Sequence, residues 1–206
     1  SIVSKSFNPD HFYYANRITF QEFLSLSNNV ITTSACLASP LNKLDVTHPM
    51  YKKLIERYDY LEIQPHKDGD QVKFNQHLAM LAEEYKKPLI AGTDTHSLNQ
   101  YKAECRKILL AYKKQSYGNE DDFDLTWKSY DELVNAFEEQ GALPSNLYME
   151  AIENTNRMAD MVEDWSLDCS LKYPILYKDR QEDHEKLVES IEEKFKYKVD
   201  NGIIPQ

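Results

Sequence analysis

Leu89-Ile90-Ala91-Gly92-Thr93-Asp94-Thr95-His96 is the stretch on which the fold of this chain turns. Three apolar residues end at a glycine, and every residue after it is polar, which reads as a short buried strand giving way to a loop. Lys87-Pro88 breaks the chain just before it. Residues 71–85, upstream of that break, repeat apolar side chains at helical spacing, with Phe74, Leu78 and Leu81 on one face and Ala79 and Ala82 alongside. The same order of helix, strand and polar end occurs twice more. Residues 48–58 carry Met50, Leu54 and Ile55 and run into Tyr60-Leu61-Glu62-Ile63-Gln64. Residues 19–26 place Phe20, Phe23 and Leu24 on one side, turn at Asn28-Asn29, and lead into Val30-Ile31-Thr32-Thr33 and Ser34-Ala35-Cys36. Three short strands, each following a helix, predict an α/β fold with a largely parallel sheet. Open doubly wound sheets and closed barrels share this pattern, and in both the ligand site gathers at the carboxyl ends of the strands. Cys36, Glu62 with His66, and Asp94 with His96 all fall at such ends.

The second half has a different texture. Residues 101–115 read as a helix carrying Ile108, Leu109 and Leu110, followed by a polar break at 117–122 where a mobile loop is expected. Ser129 is placed to cap the next helix, with Glu132 three residues on as its reciprocal partner. Leu133, Val134 and Phe137 form that helix's apolar face, and Gln140-Gly141 stops it. Pro144-Ser145 opens another helix through residue 161, with Ile152, Met158, Ala159 and Val162 as expected buried positions. Residues 172–177 read as extended and 183–199 as a last helix. The expected division is therefore an α/β part, 1–115, and a mainly helical part, 116–206, with the change falling between 115 and 128.

Composition narrows the class. A chain of 206 residues supports one substantial core, or one core with a helical appendage. With 41% hydrophobic residues and only 5 glycines and 8 prolines, collagen-like and Pro/Gly-driven disordered architectures are excluded. No run approaches eighteen apolar residues, so no membrane span is expected. Twenty-four basic against 34 acidic side chains leave a net charge of −10, a surface that repels phosphate backbones unless a local basic patch exists. Basic and aromatic residues interleave at 12–17 and 195–198, but in clusters small enough to belong to ordinary interfaces. Three widely spaced cysteines, Cys36, Cys105 and Cys169, do not make a disulfide framework and fit a reducing compartment. The amino terminus has no signal-like apolar core and no initiator Met, so a cytoplasmic location and a fragment of a longer chain are expected.

Asp94-Thr95-His96 is the most informative local feature. Residues i and i+2 of an extended segment point the same way, so a carboxylate and an imidazole can address one ion. That donor pair suits Zn²⁺, Mn²⁺ or Fe²⁺. The plainer alternative has Asp94 capping a turn and His96 hydrogen-bonding at the surface. Cys36 is either a small buried hydrophobe or, as a thiolate, a third ligand. Glu62 and His66 either face a common pocket, or Glu62 forms an outward salt bridge while His66 follows Pro65 in a solvated turn. His77 lies within a helix, and His11, His48 and His184 look peripheral. Dinucleotide, phosphate-loop, nucleophile-elbow and His-Glu-x-x-His signatures are absent from the sequence.

Taken together, several blocks resemble the amino-terminal region of the C-family replicative DNA polymerases, the alpha subunits of bacterial DNA polymerase III. Phe12-Tyr13-Tyr14-Ala15-Asn16-Arg17-Ile18 is similar to the family's aromatic pair followed by Pro-Arg, with Asn16 in place of the proline. Ile31-Thr32-Thr33-Ser34-Ala35-Cys36-Leu37-Ala38 resembles its strand leading to Ser-Gly/Ala-Cys-Leu, and Tyr60-Leu61-Glu62-Ile63-Gln64-Pro65-His66 its Leu-Glu-aliphatic-Gln strand. Residues 89–96 resemble the strand ending in Asn-Asp-x-His, with Thr93 replacing the asparagine. Met149-Glu150-Ala151-Ile152-Glu153-Asn154-Thr155 resembles the helix with Glu-Ala-hydrophobic-x-Asn-Thr.

The resemblance implies the carboxy-terminal part of a PHP (polymerase and histidinol phosphatase) domain, a distorted (β/α)₇ barrel, followed by helices leading to the polymerase palm. It puts Cys36, Asp94 and His96 on metal-binding positions, with Glu62 and His66 as pocket candidates. An intact site of this kind takes Zn, Mn or Fe and the parent polymerase Mg, while the incomplete set here also allows no bound metal. Members are metal-dependent 3′→5′ exonucleases or non-catalytic docking platforms, and a stand-alone PHP phosphoesterase is a further alternative. The remaining histidine and glutamate ligands are expected before Ser1 and the palm after Gln206, so the fragment itself is expected to be inactive. DNA and replisome subunits are the implied partners of the parent. The exposed sheet edges of a partial barrel are expected to promote self-association.

Overall fold

The computed structural model describes residues 2–118, 123–166, 168–170 and 176–204. The chain opens with α1 (Ile2–Ser6), a single 3₁₀ turn at Pro9–His11, and a minimal antiparallel hairpin of β1 (Phe12–Tyr13) and β2 (Ala15–Asn16) turning on Tyr14 at φ 58°. Helix α2 (Phe20–Leu24) begins at a complete capping box. Thr19 Oγ1 accepts from the Glu22 amide at 3.2 Å, and the Glu22 carboxylate accepts from the Thr19 amide at 2.8 Å. Lys5 pairs with Glu22 at 2.6 Å and, with the Thr19 amide, pulls its carboxyl down to about 2. Next come α3 (Pro40–Lys43), capped by Ser39, and α4 (Pro49–Arg57), whose first turn is capped by His48 Nδ1.

The expected sheet is present in reduced form. Strand β3 (Leu61–Ile63) leads into α5 (Gly69–Tyr85), and β4 (Leu89–Ala91) returns parallel to β3 with Leu61 opposite Leu89 and Ile63 opposite Ala91. The first expected strand shrinks to one parallel bridge, Thr33 against Tyr60. Asp59 accounts for this: its carboxylate accepts from the Thr32 amide at 2.7 Å and from the Thr32 hydroxyl at 2.9 Å, replacing ladder bonds with a side-chain clasp. Helix α6 (Gln100–Lys113) follows. Residues 119–122, within the expected mobile loop, lie outside the described residues. Past them the chain comes back to the sheet end, where Ser97 bridges Thr126 in parallel and the amides of His96 and Ser97 both donate to the Leu125 carbonyl.

Helix α7 (Tyr130–Gln140) starts at the expected Ser129–Glu132 capping box and stops at Gly141, whose φ of 64° is left-handed and suits a residue without Cβ. Helix α8 (Ser145–Asp160) packs on β4 through Ala151 and Ile152, and buried Asn154 donates to the Leu89 carbonyl at 2.7 Å. Of the positions expected to be buried on this helix, Ile152 is buried and Met158 half-buried, while Ala159 and Val162 are exposed because they lie beyond the length of the sheet. One core joins Leu54 and Ile55 of α4, Leu61 and Ile63 of β3, Phe74 and Leu78 of α5, Phe137 of α7 and Ala151 of α8. This compact unit runs from Ser1 to Glu163 and contains the expected 115/116 boundary within it.

A second unit spans Asp164–Gln206. Its helix α9 (Arg180–Asp200) is capped by Asp179, which accepts from the amides of Gln181 and Glu182, and it buries no residue. Of the segment expected to be extended, 172–177, residues 172–175 lie outside the described residues, and Leu176 and Tyr177 belong to no strand. Among the described residues no helix is long and apolar enough to cross a membrane.

Candidate functional site

Parallel pairing brings three chain segments to one end of the sheet: 33–36, 62–66 and 91–96. Two of them turn away from the sheet through left-handed residues, Ala35 at φ 58° and Asp94 at φ 47°. An aspartate adopts this conformation at little cost, whereas an alanine there is held at a penalty of about 1 kcal/mol that a glycine would not carry. The turn at Asp94 folds its carboxylate back toward the imidazole two residues on, and His96 Nε2 lies 3.3 Å from Asp94 Oδ1.

That separation is the range of a direct ion pair, and it is also the spacing of neighbouring donors on a metal ion. Donors at roughly 2.0–2.1 Å from a tetrahedral Zn²⁺ stand about 3.3 Å apart, so the two side chains fit neighbouring corners of one coordination sphere. They also remain reachable, with Asp94 about a quarter and His96 about half exposed. Among the described residues, no group of three or more His, Cys, Asp or Glu side chains is gathered around a common point. The structure thus brings Asp94 and His96 together, while half-buried Cys36 does not join them in a three-donor group.

Glu62 is fully engaged within the sheet end. One carboxylate oxygen accepts from Thr33 Oγ1 at 2.9 Å and the other from Gln64 Nε2 at 3.0 Å. It lies over Gly92, where an added Cβ would approach Glu62 Cδ to 2.7 Å and Cγ to 3.0 Å. Glycine at the end of β4 is therefore needed for close approach of a carboxylate rather than for an unusual φ.

His66 sits in neither a solvated turn nor an ion pair. It is 5% exposed, its ring stacks on Phe123 with centroids 4.5 Å apart, and its Nε2 has no hydrogen-bond partner among the described residues. Burial pushes its pKa down, opposed by the Asp94 carboxylate and reinforced by Lys128. The loop that carries it is fixed by a net of buried amides. Gln140 Nε2 donates to the carbonyls of Gln64 and His66 at 2.8 and 2.6 Å, and Asn75 Nδ2 donates to the Gln64 carbonyl and to Gln140 Oε1. Beside His66 lies a cavity of about 560 Å³ lined by Phe123, Asp124, Lys128, Lys67 and Glu139. Burial works against the charge on Asp124, but hydrogen bonds from Thr126 and Lys128 outweigh it and hold that carboxyl below its ordinary value. Lys67 pairs with Glu139 at 2.8 Å across the same cavity.

Phe123, Asp124 and Lys128 were not singled out by the sequence. Their only sequence signal is Leu125, a lone apolar residue after a polar stretch, which is 7% exposed here.

No family model matches this chain. It is 30% identical, over 75% of its length, to a protein of Clostridium perfringens named DNA polymerase III PolC-type. It is 28% identical, over 76% of its length, to the DNA polymerase III subunit alpha of Borreliella burgdorferi. A PolC-type DNA polymerase III of Thermotoga maritima is 24% identical over 95% of the chain. The chain spans about 12–15% of the length of these relatives.

Proposed function

We propose that this chain, similar over most of its length to DNA polymerase III alpha and PolC-type proteins, is the segment of a replicative DNA polymerase that contains the carboxy-terminal part of a PHP barrel and the helices beyond it. The observation that carries this reading is the Asp94–His96 pair at 3.3 Å, at the carboxyl end of parallel strands, where α/β folds assemble their chemistry. In the complete barrel, Asp94 and His96 would hold a divalent Zn, Mn or Fe ion, with Cys36 as a softer donor. Such an ion supplies Lewis acidity toward a phosphodiester and a nucleophilic water at neutral pH. The chain's own residues orient the donors. The turn at Asp94 aims its carboxylate at His96, and Gly92 admits Glu62, which Thr33 and Gln64 hold in place.

By itself the chain is inactive as a nuclease and as a polymerase, because two donors hold an ion too weakly to activate water and clamp a phosphate. The parent acts in the cytoplasm on primed DNA with Mg²⁺ and deoxynucleoside triphosphates, beside other replisome subunits.

Titration calorimetry with MnCl₂ or ZnCl₂ on the full chain, run beside Asp94→Ala/His96→Ala, tests the assignment. Weak binding, with Kd on the order of 0.1 mM, is expected in the native chain and absent in the double variant. Equal binding by both proteins overturns the ligand role. Metal-dependent trimming of a 3′-labelled oligonucleotide by the native chain overturns the assignment of inactivity.

A further inference from the structure

Helix α6 is amphipathic with its apolar side turned outward. At 100° per residue Tyr101, Cys105, Ile108, Leu109 and Tyr112 fall on one stripe about 100° wide. The partly covered positions, Ala103, Arg106 and Leu110, lie on the opposite side, and the helix buries no residue. Ile108 is 72% exposed and Tyr112 85%, and Leu98 extends the patch ahead of the helix. A continuous apolar surface of this kind ordinarily marks an interface. One border of the stripe is basic, formed by Lys102 and Lys113, on a chain whose net charge is −10.

The complementary pattern is present in the same sequence. The first fourteen residues of α9, 180–193, carry six carboxylates against two cations. Leu187, Val188 and Ile191 lie on one face there, all exposed, and Phe195 continues it. Glu185 and Glu192, seven residues apart, border that face. Fourteen helical residues span about 21 Å, the length of α6 itself. The net charge of −10 repels a phosphate backbone, and Ile108 and Leu109 edge the stripe with aliphatic surface, which together favour a protein partner over a nucleic acid.

We infer that α6 is a docking face for a second copy of this chain, covered by the acidic, apolar face of that copy's α9. The apolar stripes exclude water, and the basic border of one meets the acidic border of the other, which sets orientation. The inference is independent of the metal assignment and uses a different part of the molecule.

Sedimentation equilibrium of the full chain tests it. Reversible self-association with Kd on the order of 10 µM is expected at low salt. Ile108→Glu weakens it by at least about tenfold while leaving the circular dichroism and melting temperature of the monomer unchanged, because the side chain is exposed. Lys102→Glu/Lys113→Glu weakens it as well, and mixing that variant with Glu185→Lys/Glu192→Lys restores association between the two. A monomer at every concentration up to about 200 µM overturns the proposal. So does association that Ile108→Glu leaves intact, as pairing through sheet edges would. Failure of the charge-swapped pair to associate overturns the assignment of α9 as the covering element.

Discussion

Helices α5 and α6 carry apolar residues at the same helical spacing and meet opposite surroundings. The stripe of α5, Phe74, Leu78 and Leu81, is buried against β3 and α4, and Leu78 has no exposed surface at all. The stripe of α6 lies in the open, and no residue of that helix is buried. The difference lies in what each helix follows. Helix α5 fills the crossover between β3 and β4, a parallel connection that must lay its helix across the sheet. Among the described residues, helix α6 leaves β4 with no further strand of the β3–β4 sheet to return to, so nothing in the connection obliges its stripe to face inward. Amphipathicity states that a face will be covered, and topology states by what.

Substitutions can break or sharpen that contrast. The largest effect is expected from Leu78→Ala, which opens a void in the tightest part of the core. A loss of about 3 kcal/mol in urea unfolding is expected, and a loss under about 1 kcal/mol would show that the α5 face is less tightly packed than its burial implies. Gly92→Ala ranks next. Its Cβ would press on the Glu62 carboxylate, which Thr33 and Gln64 prevent from swinging aside, so a loss of about 1–2 kcal/mol is expected. Glu62→Ala in the same chain should recover most of it, and a double variant no better than Gly92→Ala would place the conflict elsewhere. Ile108→Ala is the smallest. Measured at concentrations where the chain is monomeric, its unfolding midpoint should stay within about 0.5 kcal/mol of the parent, and a larger loss would mean that α6 is packed in solution.

Much of the molecule was legible because its causes are local. The Ser129–Glu132 box, the stop at Gly141 and the face of α5 depend on residues three or four apart, and they appear in the structure where the sequence puts them. The β-branched run before Cys36 read as a strand, yet the carboxylate of Asp59, twenty-seven residues from Thr32, captures the Thr32 amide and hydroxyl, and one bridge remains. His66 read most simply as a solvated turn residue. Phe123 and Gln140, fifty-seven and seventy-four residues away, bury it instead. Neither partner is visible from the neighbourhood of residue 66.

The candidate site divides in the same way. Asp94 and His96 could be picked out in advance because they stand two residues apart at a strand end, but the extended backbone that would point them the same way is absent. Their pairing distance depends on the left-handed turn at Asp94, and the cavity beside His66 depends on a segment that returns after residue 122.

From the amino-acid order alone follow the main helices, the Ser129–Glu132 cap and the nearness of Asp94 and His96 at a strand end, since each is settled by residues a few positions apart. Only the tertiary structure decided that Glu62 is held within the sheet end, that His66 is buried, and that α6 turns its apolar side to solvent. Those outcomes depend on which distant segment arrives to fill a space, and pairwise spacing along a chain carries no record of that arrival.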